Sequence, residues 1–447
     1  MARPSEASSA FEIKFTSREV SAWGGLALMK RMLDSMSFRT AASQWDLPEP
    51  GSNRGYPPTQ LIEQLLVSIW CGACRFAHLE ITRMDLTLTR LFGWTRVAGH
   101  KAIVRLFGRF DMLRHERVQA QIYRWFFDTV STLCSITLDM DSTVITRHGE
   151  QQGAARGYNP NKRGRLSHHP LLAFVAEVRL VANFWLRPGD AHSANNVLQF
   201  IESTLHHLGS KAVGLLRADS GFFDQAVLKL LEDKRIHYII SARLTQGLQQ
   251  AIVRDGRWFA LEPGLELAEI TYQGNSWDIA RRIVVVRQSI KRKTAPGKTL
   301  SLFADDPDIQ GWRYGAMVTS LSLPAVEVWR SYRGRADCEN RIKELKNDFG
   351  LDSFSLNSFY ATEAALGFAM LAYNLMSIFR QAVMRAKIQP TLATLHQQVL
   401  AVGAFWHRDP KQNQLLLAVS RRRRAWFEGL WANAGHPPVL PVQAKTG

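Results

Sequence analysis

Between Ile136 and Asp141 the hydrophobic period of the chain changes, and this constrains the fold more than any other feature. Ile136, Leu138 and Met140 alternate with Thr137, Asp139 and Asp141, the two-residue repeat of a strand with one apolar face. Residues 1–134 read instead as helical. Pro57 and Pro58 introduce residues 60–70, where Leu61, Leu65, Leu66 and Ile69 recur at helical spacing, and amphipathic stretches follow at 80–92, 101–113 and 118–133. Beyond the first strand, 170–178 and 181–186 are apolar runs of strand type. A helix over 193–208, capped by Ser193, then precedes strands at 213–216 and 237–241 that flank a helix near 224–233. Strands first, then strands alternating with helices, predict a mixed α/β sheet.

From residue 244 to 314 the texture is β-rich: short strands at 258–261, 267–273, 278–288 and 300–303 lie between Gly, Asn and Pro turns. Arg281, Arg282, Arg287, Lys291, Arg292, Lys293 and Lys298 fall there with no acid between Asp278 and Asp305, so a basic surface is expected. A strand returns at 316–321. Pro324 then opens a long helix reaching Phe349, which Gly350 ends. The remainder reads as helical, with the basic run Arg421 to Arg424 near the C-terminus.

With 447 residues the chain can bury a large core, and 46% apolar with 21% charged residues is the composition of a folded protein. Its 56 basic against 39 acidic residues give a net charge of +17, which favours a polyanionic partner such as nucleic acid. Arg83, Arg90, Arg96, Lys101, Arg105 and Arg109 fit a helical DNA-binding domain, or equally a helical domain with a solvated basic face. Four cysteines (Cys71, Cys74, Cys134 and Cys338) argue against a disulfide framework and for a reducing compartment, and the lone Cys71–Cys74 pair reads as buried helix positions. Met1 to Ser9 lacks the apolar core of a secretory leader, and the apolar stretch 364–379 is short for a bilayer and interrupted by Asn374. A soluble intracellular protein is expected.

Three acids stand out. Asp139 and Asp141 share the polar face of a strand, where a buried carboxylate needs a cation, either a salt-bridge partner or a hard metal ion. Asp219 sits where a strand ends and the turn Ser220-Gly221 begins; that is a functional position in α/β sheets, and also an ordinary place for an Asx turn. On one continuous helix, Tyr332, Arg335, Glu339 and Lys346 would share a face. A solvated network of i, i+4 charges is the alternative.

The run from Tyr332 to Lys346, YRGRADCENRIKELK, resembles the Y-x2-R-x3-E-x6-K signature of bacterial insertion-sequence transposases of the DDE class, which have RNase H-like catalytic domains. Leu138-Asp-Met-Asp-Ser-Thr143 is similar to the strand carrying their first Asp, and Leu216-Arg-Ala-Asp219-Ser-Gly-Phe222 to the segment carrying the second. The resemblance spans 136–375, and a long insertion before the Glu is typical of it. It implies Asp141, Asp219 and Glu339 as catalytic metal ligands, with two Mg²⁺ or Mn²⁺ ions. Asp139 is a departure and a possible ligand; Ser142-Thr143 after Asp141 favours Asp141. The resemblance also implies Tyr332, Arg335 and Lys346 on DNA phosphate.

The stretch 149–169 is too long for a hairpin loop and mixes Gly153, Gly157 and Gly164 with Arg156, Tyr158, Lys162, Arg163 and Arg165, which reads as a DNA-contacting loop near the site. His168-His169 reads as a polar loop end, and Trp258, Trp277 and Trp312 as core.

The expected organisation is therefore a helical DNA-binding region (1–134), an RNase H-like core in two parts (135–243 and 315–380), a β-rich insertion (244–314) and a helical basic C-terminal region (381–447). The expected function is a DNA transposase that cleaves and joins double-stranded DNA at element inverted repeats and target sites. It would act as a homodimer in the bacterial cytoplasm, on the nucleoid, with no membrane partner. A nuclease of the same fold without strand transfer, or a DNA-binding protein with a decayed site, are the alternatives. No Gly-x4-Gly-Lys-Ser/Thr loop is found, which fits phosphodiester exchange without ATP.

Overall fold

The computed structural model describes residues 13–52, 54–130, 135–159, 162–191, 196–289, 311–408 and 413–440. Its main sheet contains β1 (Ser135–Ser142), β2 (Leu171–Val175), β3 (Leu180–Trp185), β4 (Ala212–Ala218), β5 (His237–Ser241), β6 (Phe259–Glu262), β7 (Leu265–Tyr272), β8 (Arg281–Ser289) and β9 (Trp312–Thr319). The helices that bear on the site are α1 (Pro58–Trp70), α2 (Met112–Thr129), α3 (Val197–Leu208), α4 (Gln225–Asp233), α5 (Gln246–Asp255), α6 (Ala325–Arg333), α7 (Ala336–Asp348), α8 (Phe359–Ile378) and α9 (Arg424–Ala434).

The strands lie in the order β3-β2-β1-β4-β5-β9-β8-β7-β6. The first three are antiparallel neighbours, whereas β1, β4 and β5 run parallel. Five strands ordered 3-2-1-4-5 in this sense make the RNase H-like core that the sequence predicts. Ile136, Leu138 and Met140 are buried on one face of β1. β2 and β3 are almost wholly buried, as strands covered on both faces must be.

The insertion is not a separate module. Its strands continue the same sheet outward from β5, antiparallel from β9 to β6. Helix α5 was not expected from the sequence, and the strand expected at 300–303 lies outside the described residues. The expected basic surface is also corrected in part. Arg281 pairs with Glu232 and Asp278, Arg282 with Glu269, and Arg287 with Glu266. Arg287 further lies between the rings of Trp258 and Trp312. Arg282 and Arg287 thus tie β8 to β7 and Arg281 ties β8 to α4; Lys291, Arg292, Lys293 and Lys298 lie outside the described residues.

The segments read as separate N- and C-terminal helical regions pack into one body around α8, which is buried from Ala361 to Ile378 and contacts α1, α2 and β3. A hairpin, Ala404–Arg408 with Asn413–Leu417, adds β-structure to the expected helical C-terminal region. By length and composition α8 extended to Val383 could cross a membrane, but it is the buried core helix of this fold. Its polar residues serve the free edge of β3: the Asn374 amide accepts from Val181 N at 2.7 Å and donates to Val181 O at 2.8 Å, and Glu363 accepts from Leu186 N at 2.8 Å. Side chains thus complete the hydrogen bonds that an edge strand leaves open.

The single long helix expected from Pro324 to Phe349 is two helices, α6 and α7, joined at Gly334. Bonds of the i→i+3 kind replace the regular ladder there, from Arg335 N to Tyr332 O and from Cys338 N to Arg335 O. Tyr332 therefore belongs to a different helix from Glu339, and the two do not share the one continuous helix face expected of them.

Candidate active site

β1 and β4 are parallel neighbours with Asp139 opposite Arg217 and Met140 opposite Ala218. One step further along each strand lie Asp141 and Asp219, side by side at the C-terminal ends of adjacent parallel strands, where α/β sheets expose functional side chains. α7 crosses β1 on the face that carries Asp139 and Asp141. It is held there by Ile342 and Leu345 in the core and by a buried ion pair from Glu344 to Arg380 just beyond α8. This brings Glu339, in its first turn, to the same edge.

Asp141 is buried and forms an ion pair with Arg335 at 3.0 Å, while Ser142 N donates to its other oxygen at 2.8 Å. Burial pushes its carboxyl up to about 6; Arg335 works against that rise, and Asp219 and Glu339 add to it by like-charge repulsion. Asp219 turns one oxygen onto Gly221 N at 2.9 Å, capping the short turn Ser220–Phe222. The Glu339 side chain is 70% exposed, with Arg335 3.8 Å away. Tyr332 is half-buried and its hydroxyl is raised by burial, with Arg335 opposing and Asp219 and Asp141 adding to the rise. Tyr332 and Ser241 also line a groove of about 500 Å³ running over β8 and β9.

Among the described residues, no three carboxylate, imidazole or thiol groups close on one point as a preformed metal centre. The donor chemistry nevertheless fits a hard divalent cation. Asp219 and Glu339 raise the proton affinity of Asp141 by like-charge repulsion, and a dication would relieve that crowding.

The other expected site residues divide. Arg335 is buried, donating to Met140 O at 3.3 Å as well as pairing with Asp141, so it faces the carboxylates. Lys346 donates to Val144 O at 2.9 Å just beyond β1 and lies 3.9 Å from Asp352. Residues 149–169 belong to a small flap, a three-stranded sheet of Leu166–His168 and Ala155–Arg156 with Ile145–Thr146 just ahead of them. Arg156, Tyr158, Lys162, Arg163 and Arg165 are all exposed on it. Gly157 lets the flap pack against the segment that follows β3, since a Cβ there would lie 2.0 Å from Gly189 O. His168 is buried and accepts from Arg147 Nε at 2.9 Å, placing its own proton toward Gln152 O.

Asp139 is not in the acid cluster. Arg217 holds it with two bonds of 2.6 and 2.8 Å, and both residues are buried. Reading the sequence alone passes over Arg217, although a signal is there: Arg217 stands two residues before Asp219 as Asp139 stands two before Asp141, on a strand otherwise apolar.

An RNase H-like sheet with acids at the ends of its first and fourth strands, and a third on the crossing helix, defines a class of enzymes acting on phosphodiesters. The chain belongs to the transposase DDE domain group 1 family, whose model matches residues 4–433. It is a DNA transposase, an enzyme of metal-dependent DNA cleavage and strand transfer. It is similar to the piggyBac transposase in the cryo-EM structure of its synaptic complex with hairpin DNA. That similarity is 12% identity over 96% of this chain and 89% of that one, with a TM-score of 0.44. No curated protein matches the chain.

Proposed function

We propose that Asp141, Asp219 and Glu339 are the carboxylates that hold the divalent ions, two Mg²⁺ or Mn²⁺, with which this transposase cuts and joins DNA. The observation that carries the reading is the parallel register of β1 and β4, which sets Asp141 beside Asp219 under the helix bearing Glu339. Bound ions would supply Lewis-acid polarisation of the phosphodiester and an activated oxygen nucleophile. The chain's own residues supply the rest. Arg335 keeps Asp141 in place by a charge-assisted contact, and Tyr332 presents a hydroxyl beside the acids. Lys346, through Val144 O, fixes the segment that leads from β1 into the flap.

The substrate is double-stranded DNA, at the inverted repeats of an element and at a target. The flap cations Arg156, Lys162, Arg163 and Arg165, with Tyr158, take its phosphates; their exposure on the flap that follows β1 supports this. The working form is a homodimer that joins two ends. It acts in the bacterial cytoplasm, for which the unpaired thiols of Cys71, Cys74 and Cys338 are suited. The test is cleavage of a plasmid bearing the inverted repeats that flank the gene, with Mg²⁺ or Mn²⁺. Asp219→Ala and Glu339→Ala should each abolish cutting and joining while DNA binding persists. Near-normal cleavage by either variant refutes the assignment.

A further inference from the structure

We infer that Arg217 is a positioning residue, a three-way tie that sets the helix of Glu339 against the strands of Asp141 and Asp219. This rests on the carboxylate assignment above. Arg217 lies on β4 two residues before Asp219. Its Nε and Nη2 donate to the two oxygens of Asp139 on β1, two residues before Asp141. Its remaining Nη1 donates to Ser331 O, in the last turn of α6 just ahead of the break at Gly334. One guanidinium thus joins the strand of each aspartate to the joint from which α7 and Glu339 depart. Arginine suits this because its planar fork gives a bidentate contact and still has donors for a third partner.

Gly334 supports the same conclusion independently. Its backbone is ordinary right-handed helix, φ −58° and ψ −20°, a conformation in which Gly is less favourable than Ala. No turn requires Gly there. Space does: a Cβ at Gly334 would lie 2.8 Å from Arg217 Nη1 and 3.2 Å from Ser331 O. A free arginine tip would swing aside, but this one is bound to Asp139 and Ser331 and is 8% exposed. Room for the tie thus accounts for a helix-weakening residue at the joint.

The test reads ion placement separately from turnover. Fe²⁺ with ascorbate and peroxide, bound in place of Mg²⁺, generates hydroxyl radicals that cut the backbone beside the ion. The full-length wild type should be cut near Asp141, Asp219 and Glu339. In Gly334→Ala and in Arg217→Lys the cut near Glu339 should fade relative to the other two. DNA cleavage should fall roughly 10–100-fold, with DNA affinity and cooperative melting retained. The double variant should be no worse than Arg217→Lys alone, because the added Cβ meets an atom that lysine lacks. Wild-type cut ratios in both single variants, or additive losses in the double, overturn the tie. Equal fading of all three cuts together with lost cooperative melting also overturns it, since the role would then be stability alone. Absence of all three cuts from the wild type itself would instead refute the carboxylate assignment.

Discussion

Arg335 stands one helical turn before Glu339 and turns inward to form an ion pair with Asp141 at 3.0 Å, with Glu339 3.8 Å from the same guanidinium. It is the cation nearest to two of the three acids, and it also donates to Met140 O. A lysine there keeps the charge but cannot reach the strand carbonyl and both carboxylates at once. Arg335→Lys should therefore fold while cleaving at least about tenfold more slowly, the low end of what weakened support around metal ligands costs. Parallel melting and plasmid-cleavage assays check this, and wild-type cleavage by the lysine variant would remove Arg335 from the site.

The two acids of β1 should fail in different ways. Asp139→Asn leaves the buried Arg217 without its carboxylate, and breaking such a pair costs about 3–5 kcal/mol, visible as a lower midpoint in urea. Asp141→Asn should leave the fold cooperative and eliminate cleavage. Urea titration and cleavage of both variants side by side decide the matter: a stable Asp139→Asn that is dead in cleavage would make Asp139 a ligand.

Glu363 gives a pH prediction away from the acids. Burial pushes its carboxyl up to about 8, Leu186 N works against the rise, and Glu116 adds to it. A folded value above the unfolded one means that the folded state binds the extra proton. Its stabilising effect is complete below the unfolded value and is lost as pH rises toward 8. The buried His115, His168 and His207, lowered to about 3, 4 and 4 mainly by burial, act in the opposite sense and below pH 6.5. Between pH 6.5 and 8 unfolding free energy should thus fall by about 1.4 kcal/mol per pH unit from this group, and Glu363→Gln should flatten that slope. Denaturant melts across the interval measure it; an unchanged slope in the variant would assign the dependence elsewhere.

The flap cations are tested by salt. Removing a cation that neutralises one phosphate should lower the slope of log affinity against log salt by about 0.9 on duplex DNA. Arg163→Ala and Arg165→Ala should each weaken binding and reduce the slope by about one, without changing which sequence is preferred. Measuring affinity between low and moderate salt tests this, and wild-type slopes in both variants would take DNA off the flap.

What was local in the fold was readable from the chain. The strands at 135–142 and 237–241 and the helix at 58–70 declare themselves through periodicity, because one-sided burial imposes a repeat on neighbouring residues. The spacing of Tyr332, Arg335, Glu339 and Lys346 carried the family. The break at Gly334 was harder to read, since its backbone is helical and the reason for a glycine lies on another strand.

The sequence by itself determined the alternation of elements, the excess of cations and the positions of the acids, all set by residues close along the chain. Only the tertiary structure decided which acid was already matched. Asp139 and Asp141 are two residues apart and chemically identical, and Arg217, 78 residues on, neutralises one of them. It also decided that the insertion extends the main sheet, that Arg281, Arg282 and Arg287 bind their own neighbours, and that Asn374 closes a strand edge. Each depends on partners brought together across many residues by packing. A cation or an amide carries no sign in the sequence of which surface will meet it, because pairing is fixed by register and burial between distant segments.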